Sequence, residues 1–346
     1  MSFNSTLVSW YSENKRDLPW RNSKTPYNIW LSEIILQQTQ VKQGLPYYEK
    51  FISNFPTLYD LASASEIEIL KLWQGLGYYS RARNLHFSAK YITKELNGVF
   101  PKTKKELLLL KGVGDYTASA IASICYEEAV AVVDGNVYRV LARYFGVDTP
   151  INSSKGIKQF KALATSLLPN SNLGDYNQAI MEFGAKQCKP ISPLCMKCPL
   201  NADCMAYATG STKILPVKLK KTKITKKHFN FIVLNSEGSE TYIEQRKNKG
   251  IWQQLYQFPL IETNKPAVLK DLMEHSKAPL IFPETFTELL LFNNTEIVHK
   301  LSHLELYVKF WILKTSTPIK NTVKWSDIKS YPVPVVIERF INNFQN

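Results

Sequence analysis

Several features common in other proteins are missing from this 346-residue sequence. There is no run of about 18 apolar residues, so we expect no transmembrane helix. The opening string MSFNSTLVSWYSENKRD contains no apolar core, so we also expect no signal peptide. Acidic residues are few: 29 Asp and Glu against 43 Lys and Arg, a formal net charge of +14. This excess favours a polyanionic partner, nucleic acid first and an anionic membrane surface second.

Cysteine is also scarce, and the five cysteines are unevenly spread. Cys125 stands alone, whereas the others form one C-x6-C-x2-C-x5-C run: Cys188, Cys195, Cys198 and Cys204. The run lacks the paired C-x2-C knuckles of a structural zinc site, although zinc stays open as an alternative. It fits four thiolates around one [4Fe–4S] cluster. Disulfides are disfavoured because nothing else indicates secretion, so we expect a reducing cytoplasm.

The pattern of apolar residues divides the chain into two parts. Residues 1–207 show helical periodicity interrupted by turn residues. Residues 208–227 contain seven lysines and no acid, which we interpret as a basic interdomain linker. Residues 228–346 are rich in β-branched and aromatic residues, which predicts strands, with helices at about 265–275 and 334–344. The fold class predicted is a mainly α domain followed by an α+β domain.

A glycine pair separates two predicted helices in the string LKGVGDYTASAIASI. Gly112 and Gly114 allow backbone N–H groups to approach a ligand closely, and the next helix adds the positive end of its dipole. Lys111 and Val113 complete the turn. A hairpin that only packs is the plain alternative. Together with the net charge and the cysteine run, however, the pattern favours contact with a DNA phosphate.

Two acidic residues occur in contexts that suit catalysis. Asp134, in AVVDGNVYRVLARYF, should cap a helix N-terminus, where N–H groups are expected to keep its pKa low. Glu33, in IWLSEIILQQTQV, has apolar neighbours along a predicted helix, which predicts partial burial and a raised pKa. Such a pair of carboxyls is used in glycoside hydrolysis. From spacing alone, a purely capping Asp134 and a solvated Glu33 stay open.

The hairpin string resembles the helix–hairpin–helix motif of the DNA glycosylase superfamily that includes endonuclease III. In addition, LPWR, PYNIWLSEIILQQTQV, LWQGLGYYSRARNL, GVGDYTA, VVDGNV and the cysteine run follow the order seen in MutY-type adenine DNA glycosylases. This resemblance covers residues 1–207 nearly end to end. It implies a helical glycosylase domain with an iron–sulfur loop at 188–204. It also implies removal of adenine mispaired with 8-oxoguanine or guanine in double-stranded DNA.

The same resemblance implies roles for individual residues. Glu33 would be the general acid and base, Asp134 would stabilise an oxocarbenium-like sugar, and Asn136 would position Glu33 or the water. The residues expected to line the adenine pocket are Arg16, Trp20, Arg21, Tyr116 and Gln178. Those expected to probe the 8-oxoguanine side or to wedge the helix are Gln38, Thr39, Leu76 and Tyr78.

One position separates this chain from the related lyases. Endonuclease III-like enzymes that cut the backbone carry a Schiff-base lysine two residues after the second hairpin glycine, where this chain has Tyr116. A phenol cannot form an imine, so a lyase that uses this position is excluded. Two alternatives are kept: an endonuclease III-like glycosylase/lyase on oxidised pyrimidines, and a non-catalytic iron–sulfur DNA-binding protein.

Residues 228–346 resemble the Nudix-like C-terminal domain of the same family through the string KGIWQQLYQFP. No R-E-x-x-E-E-x-G metal box is present, which disfavours a pyrophosphatase and predicts a recognition domain. In the family a Phe-Ser-His turn contacts 8-oxoguanine. The matching string KLSHLEL keeps Ser302 and His303 but has Leu301 in place of the aromatic residue. We expect a DNA-associated monomer that binds no membrane and whose linker is a candidate contact for other repair proteins.

Overall fold

The protein forms two compact units in the computed structural model. The described residues are 2–219, 224–236, 239–315 and 319–345. One unit comprises Met1–Ala64 with Arg83–Lys220, and the other comprises Ser65–Ala82 with Lys221–Asn346. A short piece of the N-terminal half thus belongs to the second unit. The boundaries predicted from the sequence stay predictions, and residues 220–223 of the expected linker lie outside the described residues.

Helices dominate the first unit, and a smaller number lie in the second. In chain order, the α-helices of the described residues are α1 (Phe3–Asn14), α2 (Pro19–Asn22), α3 (Pro26–Leu36), α4 (Val41–Asn54), α5 (Leu58–Ser63), α6 (Glu66–Leu72), α7 (Ser80–Glu95), α8 (Lys104–Leu107), α9 (Asp115–Tyr126), α10 (Gly135–Phe145), α11 (Ser154–Ser166), α12 (Leu173–Lys186), α13 (Met205–Ala208), α14 (Leu269–Met273), α15 (Ala278–Ile281) and α16 (Val335–Phe344). Short 3-10 helices lie at Cys195–Lys197, Ser211–Lys213 and Ile328–Ser330. None of the helices in the described ranges is both long and apolar enough to span a bilayer.

Local sequence explains where several helices begin and end. Thr57, Ser65 and Thr103 start α5, α6 and α8 with reciprocal capping boxes, which satisfy free N–H groups at each N-terminus. Helix α3 ends at Leu36, and Gln38, two residues later, adopts a left-handed backbone with φ 57°. The segment after α3 therefore turns instead of continuing as a helix.

The packing of four helices creates the setting for the site. Helix α9 packs against both α3 and α12, and α10 packs against α12. Close approach of α10 and α12 depends on Gly184, since a Cβ there would lie 2.7 Å from the Asn136 Cβ. The core of this unit includes Val137, Leu141, Phe160, Ile180 and Phe183.

The second unit contains a mixed β-sheet. Its described strands are β1 (Thr225–Ser236), β2 (Glu240–Thr241), β3 (Glu244–Gln245), β4 (Tyr256–Gln257), β5 (Leu260–Thr263), β6 (Glu288–Leu291), β7 (Ile297–Lys300), β8 (Leu304–Thr315) and β9 (Val323–Lys324). Within these residues the main sheet has the order β6-β8-β1-β2-β9, with β5 paired to β1 and β7 to β8. Strands β1 and β8 run parallel from Thr225 opposite Leu304 to Ser236 opposite Thr315.

Most predicted elements of the second unit are present, with two differences. Within the region predicted to form strands, residues 240–245 form two short strands, β2 and β3, which pair with different partners and not one continuous strand. The helix expected at about 265–275 is restricted to α14, and α15 follows it. The helix expected at 334–344 corresponds closely to α16.

Candidate active site

A cavity of about 170 Å³ opens in the helical unit and gathers many of the predicted site residues. The predicted residues that line it are Arg16, Trp20, Arg21, Glu33, Thr39, Tyr116, Asp134, Asn136 and Gln178. The lining residues that sequence reasoning missed are Leu18, Ile29, Leu36, Val41, Ile124, Met181, Glu182 and Ala185. Residues far apart along the chain thus meet around one small cavity.

Glu33 lies on α3, a helix that is buried along most of its length, and is itself only 8% exposed. Burial raises the pKa of its carboxyl to about 7, against an ordinary value of 4.5. The nearby Tyr116 hydroxyl and the Arg21 charge act in the opposite direction, whereas the Asp134 charge adds to the rise. A substantial fraction of this carboxyl is therefore protonated at neutral pH. The direction agrees with the expectation from its apolar neighbours.

Asp134 caps the N-terminus of α10, as its position in the sequence predicted. Its Oδ1 accepts from the backbone N–H groups of Asn136 at 2.9 Å and Val137 at 2.8 Å. The expectation of a low pKa is wrong: burial raises the pKa of this carboxyl above its ordinary value. The donors that it accepts from, together with the Arg139 charge, oppose that rise and favour the ionised form.

Asn136 links Asp134 to a wider network. Its Nδ2 donates to Asp134 Oδ2 at 2.7 Å, and its Oδ1 accepts from Arg139 Nη2 at 2.8 Å. Arg139 also donates to the backbone carbonyls of Gly184 and Cys188, each at 2.6 Å. In this arrangement Asn136 positions Asp134, a contact that the sequence did not suggest.

Glu182 is the most consequential residue that sequence reasoning missed. It is 1% exposed and accepts from Arg16 Nε at 2.7 Å and Nη2 at 2.6 Å, a two-point ion pair. Arg21 Nη2 donates to the same carboxylate at 2.8 Å. Burial alone would raise the pKa of Glu182, but the two arginines hold it at about 2. No local motif marks this acid, since its partners lie about 160 residues away along the chain.

Tyr116 projects from the first turn of α9 into the same cavity. Its hydroxyl donates to Met181 Sδ at 3.5 Å. Burial, together with the charges of Glu33 and Asp134, raises its pKa well above the ordinary value. The phenol is therefore protonated at neutral pH and acts as a hydrogen-bond donor.

Trp20 and Gln178 complete the predicted pocket lining. Both are buried, and the Trp20 ring packs edge-on against Tyr48 with centroids 5.0 Å apart. Gln178 lies on α12, one turn before Glu182, so it faces the cavity and not the solvent.

The residues predicted to probe the opposite base are divided between the two units. Gln38 is exposed just after α3, and Thr39 contributes to the cavity wall. Leu76 and Tyr78 belong to the second unit. Tyr78 is 50% exposed, whereas Leu76 is only 5% exposed. Leu76 would have to leave its packed position in order to act as a wedge.

The glycine hairpin has the left-handed turn that its sequence requires. Gly112 has φ 81°, and a Cβ there would lie 2.8 Å from Asn84 Cβ, so no other residue fits without strain. Val113 is buried, and Gly114 occupies the N-cap position of α9. The Lys111 ammonium lies 3.6 Å from the centre of the Phe87 ring. Phe87 thus holds this lysine at the hairpin through a cation–π contact.

Ser302 and His303 form the exposed turn between β7 and β8. The turn is closed by Leu301 N donating to Leu304 O at 2.8 Å, and Thr225 N donates to His303 O at 3.1 Å. The Ser302 Oγ and His303 Nδ1 atoms are 3.2 Å apart. Both side chains are therefore presented to solvent on a turn fixed by backbone bonds.

The four clustered cysteines lie in the loop after α12 and at the start of α13. Each is partly buried with a free thiol, and Cys188, Cys198 and Cys204 pack against the core of the helical unit. Arg143 donates to Cys188 Sγ at 3.4 Å and to Lys189 O at 2.7 Å, which ties the loop to α10. An arginine beside the sulfur suits a thiolate.

In the described ranges, no three Cys, His, Asp or Glu side chains lie close enough together to hold a single metal ion. A zinc site requires its ligands to converge on one point. The thiolates of a [4Fe–4S] cluster instead bind different iron atoms, so their sulfurs stand further apart. The donor set and its burial fit such a cluster.

Comparison with known sequences finds two domain families. Residues 31–164 match the HhH-GPD superfamily base excision DNA repair protein family, and residues 230–343 match the NUDIX domain. An adenine DNA glycosylase of Buchnera aphidicola subsp. Acyrthosiphon pisum (strain APS) is 33% identical over 99% of this chain and 97% of its own length. The Homo sapiens adenine DNA glycosylase is 35% identical over 92% of this chain and 68% of its own length.

Solved structures share the helical fold. A thermostable thymine-DNA glycosylase is 32% identical with a TM-score of 0.55, covering 60% of this chain and 95% of that protein. A non-covalent endonuclease III–DNA complex has a TM-score of 0.52 at 20% identity, covering 60% of this chain and 94% of that protein. Together with the two domain matches, this likeness confirms the fold class predicted from the sequence.

Proposed function

The chain belongs to the adenine DNA glycosylase family, and we propose that its helical unit removes adenine mispaired with 8-oxoguanine or guanine through Glu33 and Asp134. Hydrolysis of adenine's glycosidic bond follows from the family. The mispair and the residue roles are the proposal. The observation that supports it most is one cavity that holds a carboxyl with a pKa of about 7 and a second carboxyl that three N–H groups stabilise as an anion.

In the proposed reaction, Glu33 donates a proton to adenine N7. The electrons of the bond between C1′ and N9 then pass to the departing base, which leaves an oxocarbenium-like sugar. The Asp134 carboxylate stabilises that positive charge, and Asn136 keeps it in place. Ionised Glu33 takes a proton from the water that attacks C1′, which restores the acid. This division of labour between two carboxyls is that of glycoside hydrolysis.

Arg16, Arg21 and Glu182 form the rigid side of the proposed adenine pocket. Because Glu182 holds both guanidinium groups, their remaining N–H donors point in fixed directions. Trp20 and Tyr116 add aromatic surface, and Gln178 adds an amide. A planar base with ring nitrogens and an exocyclic amine suits this lining.

We propose that the base opposite adenine is read by residues outside the cavity together with Thr39 from its wall. Those assigned to this task are Gln38, Thr39, Leu76, Tyr78, Ser302 and His303. An exposed tyrosine on a loop and a hydroxyl–imidazole pair on a fixed turn supply stacking and hydrogen-bonding groups for a base edge. Because Leu301 stands where the family has an aromatic residue, we assign stacking against the opposite base to Tyr78.

Cys188, Cys195, Cys198 and Cys204 are proposed to hold a [4Fe–4S] cluster. When bound, the cluster supplies a cross-link that fixes the loop after α12. Arg143 and Arg139 anchor the same loop to α10, the helix that Asp134 caps. Reduced thiols and a DNA substrate are both consistent with the cytoplasm as the compartment.

Replacing Lys111 with methionine tests the proposed phosphate contact at the hairpin. We expect weaker binding to every duplex sequence and a salt dependence whose slope, log K against log salt, is smaller by about one. Phe87→Leu should weaken binding only about two- to fivefold and leave the slope intact, because the charge stays. Filter binding at several salt concentrations measures the affinity and the salt slope of each variant. Lys50→Met, on the exposed side of α4, is the control. An unchanged slope in Lys111→Met would contradict the contact.

A single-turnover assay tests the function itself. A duplex with one adenine opposite 8-oxoguanine is incubated with the protein, and strand scission is measured with and without alkali. We expect scission only after alkali, because Tyr116 leaves no amine at the Schiff-base position. The same duplex with an A:T pair should stay intact.

Two outcomes would change the assignment. Scission without alkali would indicate a glycosylase/lyase like endonuclease III. Equal excision from the A:T control and the mispair would contradict the proposed reading of 8-oxoguanine while leaving adenine excision in place.

A further inference from the structure

The loop that carries Leu76 and Tyr78 belongs to the unit formed mainly by the C-terminal half. Ser65–Ala82 groups with Lys221–Asn346, although the chain before and after it belongs to the helical unit. This segment contains α6, the loop and the first residues of α7. Sequence order alone would assign it to the glycosylase domain.

Two side chains on this segment bind the backbone just before α16. Lys71 Nζ donates to Tyr331 O at 3.2 Å, and Gln74 Oε1 accepts from Val333 N at 3.0 Å. Lys71 Nζ also donates to Gln74 Oε1 at 3.3 Å, which joins the two contacts. We call Lys71, Gln74, Tyr331 and Val333 the clasp.

The other side of the clasp is bound to the small sheet of the C-terminal half. Tyr256, on β4, donates its N–H to Pro332 O at 2.8 Å. The rings of Tyr256 and Tyr331 pack with centroids 4.7 Å apart. Three consecutive residues, 331–333, are therefore held between β4 and the end of α6.

The loop itself has an uncommon backbone that needs support. Gly75, Gly77 and Tyr78 have φ of 91°, 78° and 49°. A tyrosine in the left-handed region is strained, and such strain persists only where surrounding contacts impose it. Trp73 Nε1 and Arg81 Nη2 both donate to Gly77 O, at 3.0 and 3.1 Å.

Tyr78 is presented by this same set of contacts. The Arg81 guanidinium lies 5.1 Å from the Trp73 ring centre and 5.5 Å from that of Tyr78. Trp73 is fully buried at the end of α6, whereas Tyr78 is half exposed. The position of α6, which the clasp holds, therefore determines where the exposed ring stands.

We propose that the C-terminal half positions the Leu76–Tyr78 loop through the clasp, so that this loop and the Ser302–His303 turn probe the duplex as parts of one body. The proposal rests on the function proposed above, in which both elements read the base opposite adenine. It assigns Lys71 and Gln74 as positioning residues, which act through the loop and do not touch the DNA.

The test uses the full chain and the variants Gln74→Leu and Lys71→Met. Leucine keeps much of the size of glutamine but accepts no bond from Val333, and methionine removes the ammonium group. Gln159→Leu, on the exposed side of α11, is the matched control. The probe is a duplex with 2-aminopurine beside a 2′-fluoroadenosine that faces 8-oxoguanine. The fluorine suppresses oxocarbenium formation, so the target base stays attached.

Unstacking by the loop raises 2-aminopurine fluorescence when protein is added to saturation. We expect both clasp variants to reduce this rise at least twofold and the control to match the wild type. In a Tyr78→Ala background, Gln74→Leu should cause no further loss, because the clasp acts through the loop. That second comparison separates positioning from a general loss of structure.

Two results would overturn the proposal: an undiminished rise in both clasp variants, or a further loss in the Tyr78→Ala background. A parallel assay measures whether the wild type excises ordinary adenine, which tests the proposed function separately. A wild type that unstacks the duplex but excises nothing would contradict the function and leave the clasp to be judged by fluorescence.

Discussion

Glu33→Gln is expected to slow adenine excision about 100- to 10,000-fold while duplex binding is retained. Glutamine keeps the size of the side chain but has no proton to donate to adenine N7. Single-turnover excision from an A:8-oxoguanine duplex measures the loss, and a binding assay measures what is retained. Glu49→Gln makes the same chemical change at an exposed position on α4 and should have no effect. Wild-type rates in Glu33→Gln would remove Glu33 from the mechanism.

The pH dependence of the wild-type excision rate also tests the role of Glu33 as the acid. Only protonated Glu33 can act as the acid, and its pKa is about 7. The excision rate should therefore fall about tenfold per pH unit above neutral pH. This fall in rate above neutral pH should be absent from the residual activity of Glu33→Gln.

The same substitution should make the protein more stable in alkali. A carboxyl whose pKa is raised on folding from 4.5 to about 7 opposes folding once it must ionise. The cost appears above pH 4.5 and is complete above about 7, where it reaches about 3 kcal/mol. At pH 8, Glu33→Gln should melt at a higher temperature than the wild type. Loss of activity with a gain in stability cannot come from unfolding.

Glu182→Gln is expected to have the opposite effect on stability. This carboxylate is 1% exposed and is paired with Arg16 and Arg21, so its pKa falls to about 2. A carboxyl with a lowered pKa stabilises the fold above its unfolded value of 4.5. Glutamine would leave two arginines without a counter-charge and remove about 3 kcal/mol at neutral pH. For a unit of this size the melting temperature should fall by about 6–12 °C.

Circular dichroism melts at several pH values test this expectation. The gap between wild type and Glu182→Gln should narrow as the pH falls from 4.5 towards 2, because the wild-type carboxylate then gains its proton. Glu33→Gln is the matched control, since it makes the same change in the same cavity with the opposite sign. Equal melting temperatures for the two variants at pH 8 would contradict the electrostatic assignment of the site.

Features that depend on short stretches of sequence could be predicted. Asp134 as the cap of α10, Gly112 in a left-handed turn and the apolar surroundings of Glu33 each follow from neighbours a few residues away. The resemblance then supplied the family and about half of the cavity lining. The pKa of Asp134 was predicted in the wrong direction, because capping is local but burial depends on helices packed from elsewhere.

Glu182 and the clasp could not have been predicted in the same way. Glu182 meets Arg16 only because α12 packs beside the start of the chain, and Lys71 meets Tyr331 across 260 positions. An acid on a helix and a glutamine before a loop carry no local signal of such partners. Their importance comes from burial and from contacts that exist only after folding.

The amino-acid sequence by itself determined the fold class, the family, the order of the motifs and the residues capable of the chemistry, because helix caps, turns and ligand spacings are encoded over short distances. The tertiary structure alone decided the partners and the charge of Glu182, the direction of the pKa shift of Asp134 and the unit to which the Tyr78 loop belongs. These depend on desolvation and on charges brought together across the chain. A buried carboxyl becomes an acid or a permanent anion according to the groups that surround it in space.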